Sequence, residues 1–145
     1  MQSLPIFVYG TLQRGEQREK AWPCQALGVE WATIRATLYD LGPYPAIVPG
    51  PHRILGELWS IAECDLPRTL SALDEIEGFA GRADDLYTRR VVESTTLRGE
   101  VRRAYAYFFA NRLVLQSAVE VPADSNGLVH WRRGNRSLPN SDDRA

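Results

Sequence analysis

One stretch of this chain is patterned for an α-helix and nearly everything around it for strands, which confines the fold to an α+β arrangement. Asp65 stands where an N-cap belongs, Pro67 sits in the first turn where its missing N–H costs little, and Gly78 is placed to cap the C-terminus. Leu66, Leu70, Leu73 and Ile76 repeat at helical spacing between those limits and mark the face that must be buried. The chain offers no regular strand-helix-strand alternation, so a parallel doubly wound sheet is not expected.

The strand signals lie on both sides of that helix. Pro5 to Tyr9 is a short apolar strand, Ala26 to Tyr39 reads as one long or broken strand, and Ile54 to Ile61 alternates as a half-buried strand does. Tyr87–Ser94 and Arg103–Phe109, joined by a turn around Leu97 to Glu100, read as an antiparallel hairpin. Gln13 to Lys20 reads as a short helix or an ordered loop. The four prolines between Gly42 and Pro51 predict a stiff loop that presents Tyr44. The expected fold is a mostly antiparallel or mixed sheet, open to curling into a barrel. Residues 1–131 form a single domain in this reading. Residues 132–145 carry one large apolar side chain and are expected to be a disordered polar tail.

Composition narrows the function classes. Seventeen Lys and Arg against 18 Asp and Glu leave a formal charge of −1, so neither nucleic acid nor an anionic membrane is the expected partner. A small neutral or zwitterionic ligand is easier to accommodate. No apolar run approaches the roughly 20 residues that span a bilayer, and no basic-then-apolar leader opens the chain, so a cytoplasmic location is expected. Cys24 and Cys64 are expected as buried free thiols, and a zinc site built from Cys24, His52 and Cys64 is not expected on that spacing. No phosphate-cradling glycine loop is present.

Two places carry chemistry. Ile6-Phe7-Val8-Tyr9 stops on Gly10-Thr11-Leu12, a small-residue turn able to aim peptide N–H groups at a carboxylate or a developing oxyanion. Taken alone, it reads first as an ordinary strand end. The second is the acidic end of the helix. At about 100° per residue Glu75 points away from the leucine stripe, Asp74 lies at its margin, and Glu77 falls within roughly 35° of its centre. A carboxylate facing inward is costly unless it is bonded, paired or raised in pKa, and the last case makes a proton shuttle. The alternatives are that the helix frays and Glu77 reaches water, or that Arg82, Arg89 or Arg90 pairs with it. Tyr105 and Tyr107 read as core, and Arg89 and Arg90 as solvated strand residues.

Val8-Tyr9-Gly10-Thr11-Leu12, followed at a distance by Leu73-Asp74-Glu75-Ile76-Glu77-Gly78-Phe79, resembles the γ-glutamylcyclotransferase-like family, which includes AIG2-like and YtfP-type proteins. Tyr87 and Tyr44-Pro45-Ala46 are similar to that family's pattern too, and the likeness spans about Ile6 to Phe109. The resemblance implies a small mixed, mostly antiparallel β-barrel flanked by a few helices. It implies a pocket in which Tyr9, Gly10, Thr11 and Leu12 hold the α-carboxylate of a γ-glutamyl substrate and Glu77 is the acid/base. Tyr44 and Tyr87 are expected at that pocket. The reaction implied is cyclisation of a γ-glutamyl amide to 5-oxoproline with release of an amine, without metal or cofactor.

Thr11-Leu12 departs from the Ser-Asn-Leu of some cyclotransferases, removing a side-chain amide and leaving the leaving amine open. A protein that binds or senses a γ-glutamyl or amino-acid-like metabolite without turnover is the competing expectation.

Overall fold

The computed structural model describes residues 3–110 and 112–131, so the expected tail over 132–145 lies outside the described residues. Seven strands form one sheet: β1 (Ile6–Val8), β2 (Gly28–Asp40), β3 (Pro45–Ser60), β4 (Tyr87–Thr96), β5 (Val101–Phe109), β6 (Val119–Glu120) and β7 (Leu128–Val129). Neighbours run β6-β2-β4-β5-β1-β3-β7, and β2 also pairs with β3. That extra pairing closes β2, β4, β5, β1 and β3 into a five-stranded barrel, with β6 and β7 added outside the ring. Pairing is antiparallel around the ring except where β1 meets β5, Ile6 lying opposite Tyr105 in parallel. The mixed barrel expected from the sequence is therefore present.

Alternation along the strands divides the apolar residues into two layers, because successive side chains leave opposite faces. Phe7 on β1 and Ala104, Ala106 and Phe108 on β5 join one buried cluster with Ile34, Leu38, Ile54 and Leu58. Ile6, Val8, Tyr107 and Phe109 face the other way, into the cluster that also holds Leu73. Alanines at four positions of the first cluster suit a narrow barrel interior.

The helix α1 (Leu66–Glu77) is the one α-helix among the described residues, and it lies where its leucine spacing predicts. Leu73 and Thr69 are fully buried, and Leu66, Leu70 and Ile76 pack at the edge of the second cluster. Gly78 adopts a left-handed conformation (φ 69°), and Phe79 N–H donates to Asp74 O at 2.9 Å, closing the helix. Asp65 does not cap with its side chain; its Oδ1 accepts from Arg68 at 3.1 Å.

Gln13 to Lys20 takes the ordered-loop form of the two expected, a run of turns leading to a short 3-10 turn at Glu19–Ala21. One expectation of local structure is corrected. The segment from Pro45 is not a loop: it opens β3, with Asp40, Tyr39, Leu38 and Thr37 opposite Pro45, Ala46, Ile47 and Val48. The register then breaks between Ala36 and Thr37, leaving Pro49, Gly50 and Pro51 as a bulge before His52 faces Ala36. Prolines are tolerated there because a strand start and a bulge demand no ladder N–H. Cys64 is exposed and Cys24 half-buried, against the expectation of two buried thiols. Among the described residues no helix is long and apolar enough to cross a membrane.

Candidate active site

A cavity of about 90 Å³ lies where β1 ends, between the turn Gly10 to Leu12, the last residues of α1, and the starts of β3 and β4. Every site residue expected from the sequence lines it: Tyr9, Gly10, Thr11, Leu12, Tyr44, Glu77 and Tyr87. At roughly 15 Å³ for each water-sized group, it has room for about six such groups.

The turn is held by its carbonyls. Gly10 O accepts from Gln13 N (3.1 Å) and Gln13 Nε2 (3.2 Å), Thr11 O from Arg18 N (2.7 Å), and Leu12 O from Trp22 Nε1 (2.9 Å). Among the described residues the amides of Gly10, Thr11 and Leu12 donate to nothing, which leaves three N–H groups beside the cavity. Gly10 is required for space rather than for an unusual angle: its φ is not positive, and an added Cβ would lie 2.7 Å from Pro45 Cγ and 2.8 Å from Cδ. The turn is also anchored from behind. Glu57 on β3, wholly buried, accepts from Arg14 N (2.9 Å), Arg14 Nε (2.8 Å) and Trp59 Nε1 (3.1 Å), and Trp22 stacks on Trp59 with ring centres 4.1 Å apart.

Across the cavity stands Glu77, on the face its helical phase predicts. Its carboxyl makes no hydrogen bond and no ion pair among the described residues, and burial raises its pKa to about 7, partly opposed by the positive charge of Arg18. None of the three arginines named as alternative partners takes it up. Arg89 pairs with Asp74, and Arg90 lies over the Phe108 ring at 5.1 Å. Arg82 is engaged through its amide with Asp85. Helical phase separates the three acids as expected, since Glu75 is exposed and Asp74 sits at the margin, accepting from Tyr107 Oη at 2.6 Å.

Three tyrosines wall the cavity, and those of β4 and the end of β1 turn their hydroxyls into the protein. Tyr9 Oη donates to Tyr107 O (2.7 Å) and Tyr87 Oη to Pro45 O (2.8 Å), while Tyr44 meets Tyr87 edge-on with ring centres 6.5 Å apart. Burial first, and then neighbouring charge including that of Glu77, pushes the Tyr9 and Tyr87 hydroxyls above their usual range, so both stay protonated donors. Tyr107 lines the cavity as well, against its reading as pure core. Arg18, Gln13 and Glu57 were not singled out in the sequence. The alternation Glu57-Leu58-Trp59 did hint at an acid and a tryptophan on one strand face. Nothing local marked Arg18 or Gln13. Cys24 Sγ contacts Thr69 Oγ1 at 3.2 Å and His52 pairs with Glu120 at 3.3 Å, so neither reaches this cavity.

An uncommitted carboxyl and three unbonded amides thus share one cavity at the end of the five-stranded barrel. The sequence pattern of the family described as "Gamma-glutamyl cyclotransferase, AIG2-like" matches residues 6–132, and the chain belongs to that family. It is 34% identical over 91 residues to the γ-glutamylcyclotransferase family protein YtfP of Escherichia coli K12, covering 61% of this chain and 72% of that one. The solution structure of Escherichia coli YtfP superposes with a TM-score of 0.53 at 27% identity, covering 81% of this chain and 91% of that one. The γ-glutamylaminecyclotransferase of Bos taurus is 32% identical over 98 residues, which are 59% of this chain and 52% of that one. The γ-L-glutamyl-butirosin B γ-glutamyl cyclotransferase of Niallia circulans is 34% identical over 80 residues, 54% of this chain and 49% of that one. The chain thus spans about half the length of these last two curated relatives.

Proposed function

We propose that this protein is a γ-glutamyl cyclotransferase that closes the γ-glutamyl group of a small amide to 5-oxoproline and frees the amine, with Glu77 as general acid and base. The observation that carries the reading is the Glu77 carboxyl, unpaired in the cavity and poised near neutrality, opposite the unbonded amides of Gly10, Thr11 and Leu12. The amides receive the substrate's α-carboxylate, and Tyr9, Tyr44 and Tyr87 wall the glutamyl chain. Ionised Glu77 takes a proton from the α-ammonium group. The freed nitrogen attacks the γ-carbonyl carbon, forming the ring C–N bond. Protonated Glu77 gives its proton to the departing nitrogen as the old C–N bond breaks, then takes the surplus ring proton and passes it to the freed amine. Two protons move in total from the α-nitrogen to the leaving amine, so the products are a neutral lactam and an alkylammonium. Ring closure is intramolecular, and holding the chain folded supplies much of the acceleration. Each step is proton or acyl transfer within reach of one carboxyl and a few donors.

The test is 5-oxoproline release from a panel of γ-glutamyl amides by the protein and by its Glu77→Gln variant. Loss of turnover by about 10² to 10⁴ in a folded variant supports the assignment. An active Glu77→Gln protein refutes it. Tight binding without turnover by the unaltered protein would instead favour the sensing alternative.

A further inference from the structure

Two charged side chains line the cavity, and the cyclisation as written uses only Glu77. The other is Arg18. It is exposed and stands just before the 3-10 turn at Glu19–Ala21, and its amide bond to Thr11 O at 2.7 Å pins its backbone against the amide-bearing turn. The arginines that form ion pairs among the described residues are Arg14, Arg68, Arg89, Arg98 and Arg102, so the guanidinium of Arg18 is uncommitted there. It lines the same cavity as Glu77 and Tyr87, and its charge acts electrostatically on both. The other residues that line the cavity, Ile76, Leu86, Pro45 and Tyr44 among them, carry no charge.

An uncommitted cation at an otherwise uncharged rim discriminates ligands by charge. The γ-glutamyl half of a substrate brings one carboxylate and one ammonium. In the proposed reaction the turn amides take the first and Glu77 the second. What is left for Arg18 is the portion beyond the scissile amide. We infer that Arg18 receives a carboxylate carried by the leaving amine, so that the preferred substrates are γ-glutamyl α-amino acids rather than γ-glutamyl alkylamines. The inference rests on the cyclotransferase reading and adds the identity of the leaving group to it. Thr11-Leu12 offers no side-chain amide for that role, and a guanidinium fork matches a carboxylate in geometry as well as charge.

The experiment compares γ-glutamylglycine with γ-glutamylethylamine, which differ by a carboxylate in place of a methyl group, on the unaltered protein and on Arg18→Gln and Arg18→Lys. A contact at a solvated rim corresponds to a preference of roughly two- to fivefold in kcat/KM for the glycine compound. That ratio is expected to collapse toward one in Arg18→Gln, through KM of the glycine compound, and to survive in part in Arg18→Lys. Equal ratios in all three proteins overturn the inference. An equal fall for both substrates also overturns it, because Arg18 would then be gripping the α-carboxylate common to both or only tuning Glu77. If neither compound yields 5-oxoproline, the cyclotransferase reading fails, and calorimetric Kd values still judge Arg18. A glycine preference lost in Arg18→Gln upholds the charge selection, and matched Kd values end it.

Discussion

Replacing Glu77 by Gln should remove activity and, above neutral pH, make the fold more stable. The side chain ionises near 4.5 when solvated and near 7 in the folded protein, because burial disfavours the charged form. A native pKa above the unfolded one means that the folded state binds the extra proton more tightly. The resulting stabilisation is complete below about pH 4.5, declines through the interval, and is gone above about pH 7. At roughly 1.4 kcal/mol per pH unit, the interval corresponds to about 3 kcal/mol that ionised Glu77 costs the fold relative to its neutral form. Gln is neutral at every pH and nearly isosteric. Urea unfolding of both proteins from pH 4 to pH 8 isolates this one group, since all other titrations cancel in the difference. The Glu77→Gln protein should match the unaltered one near pH 4 and exceed it by about 3 kcal/mol near pH 8. A flat difference across that range would mean that Glu77 is solvated, and the argument for a poised proton shuttle would go with it. A variant less stable at pH 8 would mean that Glu77 is a paired structural carboxylate.

The pH dependence of kcat/KM should show an acidic limb with an apparent pKa of about 7, activity rising as Glu77 ionises, and Arg18→Gln should move that limb upward by removing the charge that opposes protonation; a limb near 4.5 would contradict the buried environment. Gly10→Ala forces a methyl against the Pro45 ring and should cost about 1–3 kcal/mol in chemical denaturation while weakening substrate binding, with unchanged KM and stability as the refuting outcome. Glu57→Gln leaves Arg14 and Trp59 facing a neutral acceptor beneath the turn, and a loss of about 2–4 kcal/mol in urea unfolding is expected. A loss under about 0.5 kcal/mol would show that the turn is held by other bonds.

What could be read without coordinates is what depends on short sequence distances. Helical phase put Glu77 inward, Asp74 at the margin and Glu75 outward, and all three lie so. The cap at Gly78, the hairpin of β4 and β5, and the turn after Val8 follow from composition within a few residues. The proline-rich segment misled because prolines were read as breakers, whereas a bulge opposite Ala36 and Thr37 absorbs them within a long strand. Tyr107 misled in another way: strand alternation told which face it shares with Tyr105, not that the cavity opens on that face.

The sequence by itself determined the helix, most of the barrel strands and the two segments that meet at the candidate site, since periodicity and capping are properties of neighbouring residues. Tertiary structure alone decided how those segments meet. The parallel contact of Ile6 with Tyr105, the Tyr9 hydroxyl on the Tyr107 carbonyl and the seating of Arg14 on Glu57 join residues 43 to 99 positions apart, where no local pattern carries information. Closure of the barrel brings the end of β1 beneath the end of α1, and it also delivers Arg18 to the cavity. Backbone pairing across such separations is selected by the packing of the whole core, which is why the inward carboxyl was legible in advance and the cation beside it was not.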